Sequence, residues 1–203
     1  GRFNVSGVKW YGSNIINPQR GLPRSILMVM LNDVDTCEPI ALMSANLISS
    51  VRTGCVPGVA TRHLARKGAK VCSCIGAGPV SKACFEAIAL EAKELEEIIV
   101  CDLYIEKAEA FANEMAEKYG LKATATTCLE DAVRASDIIS VAASSVKPIN
   151  IDNSWLKPGS LIMFTGRCWI DEPYYTSAKI VWDHAPMHEV YFDEHLMLPE
   201  EER

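Results

Sequence analysis

Residues 76–81 read Gly-Ala-Gly-Pro-Val-Ser, and an aspartate, Asp102, follows after a helix-sized and a strand-sized segment. Those residue types in that order can hold a dinucleotide. Gly76 would make the tight turn and Gly78 would let a pyrophosphate approach the backbone, while the third place needs a small residue and here holds Ser81. A helix opening at Pro79 would aim its unbonded N–H groups and the positive end of its dipole at the phosphates. An acid about 20 residues further on accepts the ribose hydroxyls. The charge on Asp102 would repel a 2′-phosphate, so NAD is favoured over NADP. The expected cofactor contacts here are Gly76, Ala77, Gly78, Pro79, Val80 and Asp102. The competing account is a plain strand–helix turn followed by a surface aspartate. A G-x-G by itself does not decide between the two; its flanks must.

Those flanks alternate in period. VCSCI (71–75), EIIVCD (97–102), KATAT (122–126), DIISVAA (137–143) and SLIMFTG (160–166) read as strands, and AKIVWD (178–183) as a possible sixth. Helical patterns occupy 79–94, 105–119 (ending at Gly120) and 129–135. Strands alternating with helices predict an α/β fold: a Rossmann-type parallel sheet with helices on both faces. Ligands in such sheets lie beyond the carboxyl ends of the strands. Ala143, Ser144, Ser145, Thr165 and Gly166 occupy such ends and would line the nicotinamide half of the site, or serve simply as turns. Upstream, ILMVML (26–31) and PIALM (39–43) read as a hairpin around the polar turn NDVDTCE. A helical pattern then runs from Asn46, a plausible N-cap, to about Lys67, with Leu47, Val51, Cys55, Val59 and Leu64 near one face. Pro57 should kink or divide that helix and Gly68 should stop it.

The bulk numbers narrow the function classes. The chain has 203 residues, 49% of them hydrophobic, enough for a substantial core. A net charge of −6 with no basic block makes nucleic acid an unexpected partner. No apolar run reaches the ~18 residues of a membrane span. No signal peptide is legible. The eight cysteines form no C-x-x-C pair and sit mostly in apolar runs, which reads as reduced, buried thiols and a cytoplasmic protein. The four histidines lack ligand spacing, so no metal is expected.

Further motifs carry a resemblance. GVKWYGSN, GLPRS, SVRTGCVPGVATRHLARKGAKV, IGAGPVS and VCDL, in that order, resemble the ornithine cyclodeaminase/mu-crystallin family from about Gly7 to Asp183. Members are longer at both ends, so the chain looks like an internal portion. The resemblance implies three regions. Residues 1–55 would be part of an α+β substrate-binding and dimerisation domain, residues 56–190 the NAD-binding domain, and residues 191–203 a tail leading back to the first. It implies that Lys9 lies near the substrate carboxylate and amine, that Arg52 grips the carboxylate, and that Thr53 approaches the cofactor phosphates. Read without the family, Lys9 is a solvated strand-edge lysine and Arg52 a surface ion-pair partner.

One place departs from the family. Ornithine cyclodeaminases carry an aspartate just past the glycine that follows the fifth strand, where it assists amine loss and ring closure. In FTGRCWIDE a gap-free reading puts Cys168 there, and Asp171 lies three residues on. The resemblance therefore implies an NAD-dependent amino-acid dehydrogenase or ketimine reductase acting on an α-amino acid or its imine. Ornithine cyclodeaminase (a lyase), and a non-catalytic ligand-binding protein of the same fold, are the alternatives. Lys9, Arg52 and Asp171 are the expected catalytic residues, and a homodimer through the apolar hairpin region is the expected assembly.

Overall fold

A computed structural model describes residues 3–145, 148–184 and 186 of the chain. The chain forms two compact units, Gly1–Trp169 and Ile170–Arg203. The first opens with three antiparallel strands in the order β1 (Val5–Ser13), β2 (Ser25–Asp33) and β3 (Pro39–Ser44). β1 is a strand that the sequence reading did not assign. Its Lys9 lies opposite Val29 and its Tyr11 opposite Leu27. Paired residues share a face, so Lys9 and Tyr11 lie on the side where Leu27 is buried. The opposite side carries Val8, Trp10, Ile26, Met28, Met30 and Leu42. It stays open: Trp10 is 76% and Leu42 68% exposed.

Helix α1 (Asn46–Leu64) follows and is not divided at Pro57. Proline removes one internal hydrogen bond, but packing holds the helix together. A Cβ on Gly54 would stand 2.4 Å from the Ala83 carbonyl, and one on Gly58 would stand 2.9 Å from the Ala87 Cβ. The buried face of α1 is therefore Gly54, Pro57, Gly58 and Thr61, while the Leu47–Val51–Val59 stripe points outward. Asn46 does not cap the helix, which begins after Ala45. Its Oδ1 instead accepts from the Leu27 amide (2.9 Å) and its Nδ2 donates to the Ser25 carbonyl (3.1 Å), tying α1 to β2. The helix ends at Leu64, three residues earlier than expected; Gly68, at φ +75°, turns the chain afterwards.

The dinucleotide-type half then builds in sequence: β4 (Val71–Ile75), α2 (Pro79–Glu91), β5 (Glu97–Cys101), α3 (Ile105–Tyr119), β6 (Lys122–Thr126), α4 (Leu129–Ala135) and β7 (Ile138–Val141). β8 (Ile149–Ile151) and β10 (Cys168–Ile170) form a two-stranded ribbon around β9 (Leu161–Phe164) in the sequence. The main sheet runs β6-β5-β4-β7-β9, all parallel. Chain order reverses between β4 and β7, which is where such sheets open a crevice for ligands. α3 ends at Gly120 in the left-handed conformation, φ 69°, as a terminal glycine favours. Cys72 and Cys74 both point into the core, among Phe85, Ile88, Val100 and Phe111. Phe85 and Phe111 meet edge to face at 6.4 Å.

Asp137, 5% exposed, pins the entry to β4. Burial pushes its carboxyl up. The amides of Lys70 (2.8 Å) and Val71 (3.2 Å), with the Lys157 and Arg66 cations, outweigh burial and hold it below the ordinary range. All eight cysteines are free thiols; Cys72, Cys74, Cys84 and Cys101 are buried, whereas Cys37, Cys55 and Cys128 are exposed.

In the second unit α5 (Glu172–Ser177) is followed by residues 178–183, which do not form the sixth strand the sequence suggested. Their apolar run has no ladder partner among the described residues, and Val181 and Trp182 remain exposed. The expected tail, 191–203, lies outside the described residues. No described helix is long and apolar enough to cross a membrane.

Candidate active site

The glycine turn sits at the reversal point of the sheet. Gly76 adopts φ +101°, and a Cβ there would stand 2.7 Å from the Ala143 Cα. Any side chain at Gly76 would therefore strain the backbone and collide with the strand end next door. Gly166 approaches the same residue: its added Cβ would lie 2.7 Å from the Ala143 carbonyl oxygen. The ends of β4, β7 and β9 thus converge on Ala143. Gly78 differs, because a Cβ there would meet nothing within 4 Å. Its openness leaves room for a ligand to reach the backbone.

α2 begins at Pro79, which has no N–H to lose. The first helical hydrogen bond runs from the Lys82 amide to the Gly78 carbonyl (3.1 Å). The Gly78, Val80 and Ser81 amides precede it, and among the described residues they have no acceptor. Ser81 is fully buried and small enough for the place a third glycine would take.

Asp102 lies immediately after β5 and is half-buried. One carboxylate oxygen accepts from the Ala77 amide at 2.8 Å and the other from the Tyr104 amide at 3.0 Å. Asp102 therefore shapes the glycine turn itself, a role that spacing could not disclose. Each oxygen keeps a further lone pair for a ribose hydroxyl. The residues present fit a dinucleotide: an open glycine cradle, unbonded amides at the start of a 13-residue helix, and an acid at the next strand end.

Thr165 and Gly166 follow β9, their amides donating to the Val141 carbonyl at 2.8 and 2.9 Å. The Thr165 hydroxyl lies 3.8 Å from the Cys84 sulfur. Ser144, exposed beyond β7, accepts from Arg24 Nη1 at 2.6 Å. That bond joins the loop before β2 to the rim of the main sheet. Arg24 stands in GLPRS, directly before a strand, and its type and spacing alone point to no role.

Of the substrate-side candidates, Lys9 neighbours Tyr11, which meets Ser25 at the end of that loop. Lys9 Nζ stands 5.8 Å from the Tyr11 ring centre. The Tyr11 hydroxyl is 3.5 Å from Ser25 Oγ, which donates to Ser13 Oγ at 3.1 Å. Hydrogen bonds from Ser13 and Ser25, with lesser help from the Arg24 and Lys9 cations, hold the phenol below its ordinary pKa against the opposing effect of burial. Arg52 and Thr53 lie in the second turn of α1. Arg52 is exposed; the Thr53 hydroxyl donates to the Ser49 carbonyl at 2.8 Å.

Cys168 opens β10, and burial pushes its thiol up to about 11. It is therefore neutral near pH 7. Asp171 belongs to the second unit, where it precedes α5 and its carbonyl accepts from the Tyr174 amide at 3.0 Å.

Comparison with known proteins gives the same fold a context. The profile described as the ornithine cyclodeaminase/mu-crystallin family matches residues 1–177. An N-((2S)-2-amino-2-carboxyethyl)-L-glutamate dehydrogenase of Staphylococcus aureus is 32% identical over 164 residues, covering 80% of this chain and 48% of that protein. Among solved structures, a Δ1-pyrroline-2-carboxylate reductase of Thermococcus litoralis, in complex with NADH and L-proline, aligns with a TM-score of 0.72. It is 33% identical, over 77% of this chain and 48% of that one. An archaeal alanine dehydrogenase dimer with bound NAD gives a TM-score of 0.78 and 28% identity, over 98% of this chain and 64% of that one. The chain thus spans about half the length of the curated relative.

Proposed function

The chain belongs to the ornithine cyclodeaminase/mu-crystallin family, and on that premise we propose that it is an NAD-dependent oxidoreductase acting on an α-amino acid or its imine. The observation that carries the reading is the cradle at the sheet's reversal point, where Gly78 is open and Asp102 sits at the neighbouring strand end. The relatives that resemble it act on amino acids or a cyclic imine by their names, and two of those structures hold NADH or NAD.

In this reading residues 1–55 belong to the substrate side and residues 56–190 to the cofactor side. The Gly78, Val80 and Ser81 amides hold the pyrophosphate, with Gly76, Ala77 and Pro79 shaping the turn. Asp102 takes the adenosine ribose, and Thr53 stands on the phosphate side. Ala143, Ser144, Thr165 and Gly166 border the nicotinamide. The bound cofactor supplies hydride exchange at the α-carbon. Arg52 forks onto the substrate carboxylate and Lys9 steadies the carboxylate and amine.

Cys168 disfavours the cyclodeaminase reading. Its neutral thiol, at about 11, cannot stand in for the carboxylate that assists amine loss. Asp171 remains the proposed substitute on that alternative.

The test is to incubate the full-length protein with NAD and a panel of amino acids while following NADH and ammonia, and with NADH and cyclic imines in reverse. Net NADH formation, or NADH consumption by an imine, is expected. Ammonia released without net NADH would replace this reading by cyclodeamination. NAD binding without turnover in either direction would replace it by a ligand-binding protein.

For assembly, the open side of β1–β3 supports a second copy of the chain as its cover, since a contiguous apolar area of that kind is costly to leave in water. Sedimentation of the full-length protein at micromolar concentration should give a two-fold dimer; a monomer mass would refute it. The free thiols support the cytoplasm as the compartment.

A further inference from the structure

We propose that Arg24 is a positioning residue: its bond to Ser144 sets the sheet that carries Lys9 against the strand end that borders the nicotinamide, and so aligns substrate with cofactor. This inference rests on the amino-acid or imine reading above.

Both ends of the bond stand on braced backbone. Arg24 Nη1 donates to Ser144 Oγ at 2.6 Å, across 120 residues of chain. Around Arg24 the loop is fastened to itself. The Arg24 carbonyl accepts from the Asn14 amide (2.9 Å), the Pro23 carbonyl from Asn17 Nδ2 (3.1 Å), and the Asn17 carbonyl from the Leu22 amide (3.1 Å). Before Ser144, the Ala142 amide donates to the Ile75 carbonyl at 3.0 Å. Gly76 and Gly166 approach Ala143 so closely that neither has room for a Cβ. A bond between two loose loops adjusts to whatever moves, whereas a bond between two braced ones fixes a distance. A guanidinium N–H donating to a hydroxyl is also charge-assisted, one of the stronger kinds of hydrogen bond.

Strand register connects that distance to Lys9. β1 pairs with β2 from Val5–Asp33 to Ser13–Ser25. Ser25, next to Arg24, ends the ladder, and its hydroxyl donates to Ser13 Oγ at 3.1 Å. Lys9 lies four residues along β1 from Ser13, about 14 Å at the usual strand rise. The two strands are bonded over their whole length, so a tilt where β2 begins carries Lys9 with it. Asn46 ties the same stretch of β2 to α1, the helix that bears Arg52. The start of β2 is thus fastened both to that helix and to the end of β7. Arg24 and Ser144 are exposed, and exposed polar pairs add little to stability. The consequence of their bond is alignment.

Steady-state kinetics of the full-length protein test this, with L-alanine, L-proline, L-aspartate and L-glutamate plus NAD, and the cyclic imine of L-proline plus NADH. On the probes that wild type turns over, Arg24→Met should lower kcat by about tenfold to a hundredfold, as a small misplacement does. NAD affinity and melting temperature should stay at wild-type values. Ser144→Ala should lower kcat too. The double variant should match the slower single one within about twofold, because the second change removes a bond already lost. Arg24→Lys keeps a donor for Ser144 and should restore most of kcat. Effects that multiply in the double variant would overturn the proposal, and so would an Arg24→Met variant with unchanged kcat. A raised substrate KM at unchanged kcat would make Arg24 a substrate ligand instead, weakened NAD a cofactor ligand, and a large fall in melting temperature a merely structural residue. If wild type binds NAD but turns over none of the probes, the amino-acid or imine reading falls and this inference with it. An active wild type with indifferent variants removes this inference alone.

Discussion

Arg52→Lys is expected to lower kcat/KM for the amino-acid or imine substrate by roughly two orders of magnitude. Lysine keeps the charge but loses one of two parallel hydrogen bonds and the plane that orients the carboxylate. A positioning error near 1 Å can cost about a hundredfold in rate. The structure makes this a clean test. Arg52 projects from the second turn of α1, is exposed, and has no partner among the described residues. The helix itself is held two residues on, where Gly54 packs against the Ala83 backbone. Melting temperature should therefore stay close to wild type, and NAD titration should change little. A variant that unfolds would make Arg52 structural. Unaltered turnover would place the carboxylate elsewhere.

The second large effect is expected at Asp102. Asp102→Ala should weaken NAD by roughly tenfold to a hundredfold, because hydrogen bonds to a charged acceptor are worth about 1.5–3 kcal/mol. It should also relax discrimination against NADP, since the charge that repels a 2′-phosphate is gone. The contact from the Ala77 amide at 2.8 Å adds a second route to the same loss: without the carboxylate the glycine turn loses a fastening. Asp102→Asn separates the two routes. Its side-chain oxygen can still receive the Ala77 amide, so the turn holds while the charge disappears. The asparagine variant should therefore lose less NAD affinity than the alanine variant, yet accept NADP comparably. If NAD titrates identically in wild type and Asp102→Ala, Asp102 is no cofactor ligand.

Local chemistry determined a good deal of this protein before any tertiary contact was considered. VCSCI and KATAT are strands at the bounds their patterns imply, and the amphipathic run 105–119 is a helix that stops at a left-handed Gly120. Gly76 takes the positive φ that a tight turn demands, and Asp102 directly follows the next strand. These signals are legible because their causes lie within a turn or two of chain: side-chain period, missing Cβ atoms, and unbonded amides at a helix start.

What escaped was every feature whose cause lies far along the chain. The apolar stripe of α1 suggests a buried face, yet Gly54 and Gly58 are the residues that bury, because only a residue without a Cβ lets the helix touch the backbone of α2. Asn46 has the residue type of a cap and serves instead as a brace to β2. β1 was missed because its alternation is blurred, and its pairing along the whole of β2 makes it a strand. AKIVWD has strand composition without a strand beside it. The strand order β6-β5-β4-β7-β9, the convergence of Gly76 and Gly166 on Ala143, and the Arg24–Ser144 bond were likewise decided by the tertiary structure. A residue's type limits which partners it can satisfy. Which partner it receives is set by the packing of elements tens of residues away, and that is information no short window of sequence contains.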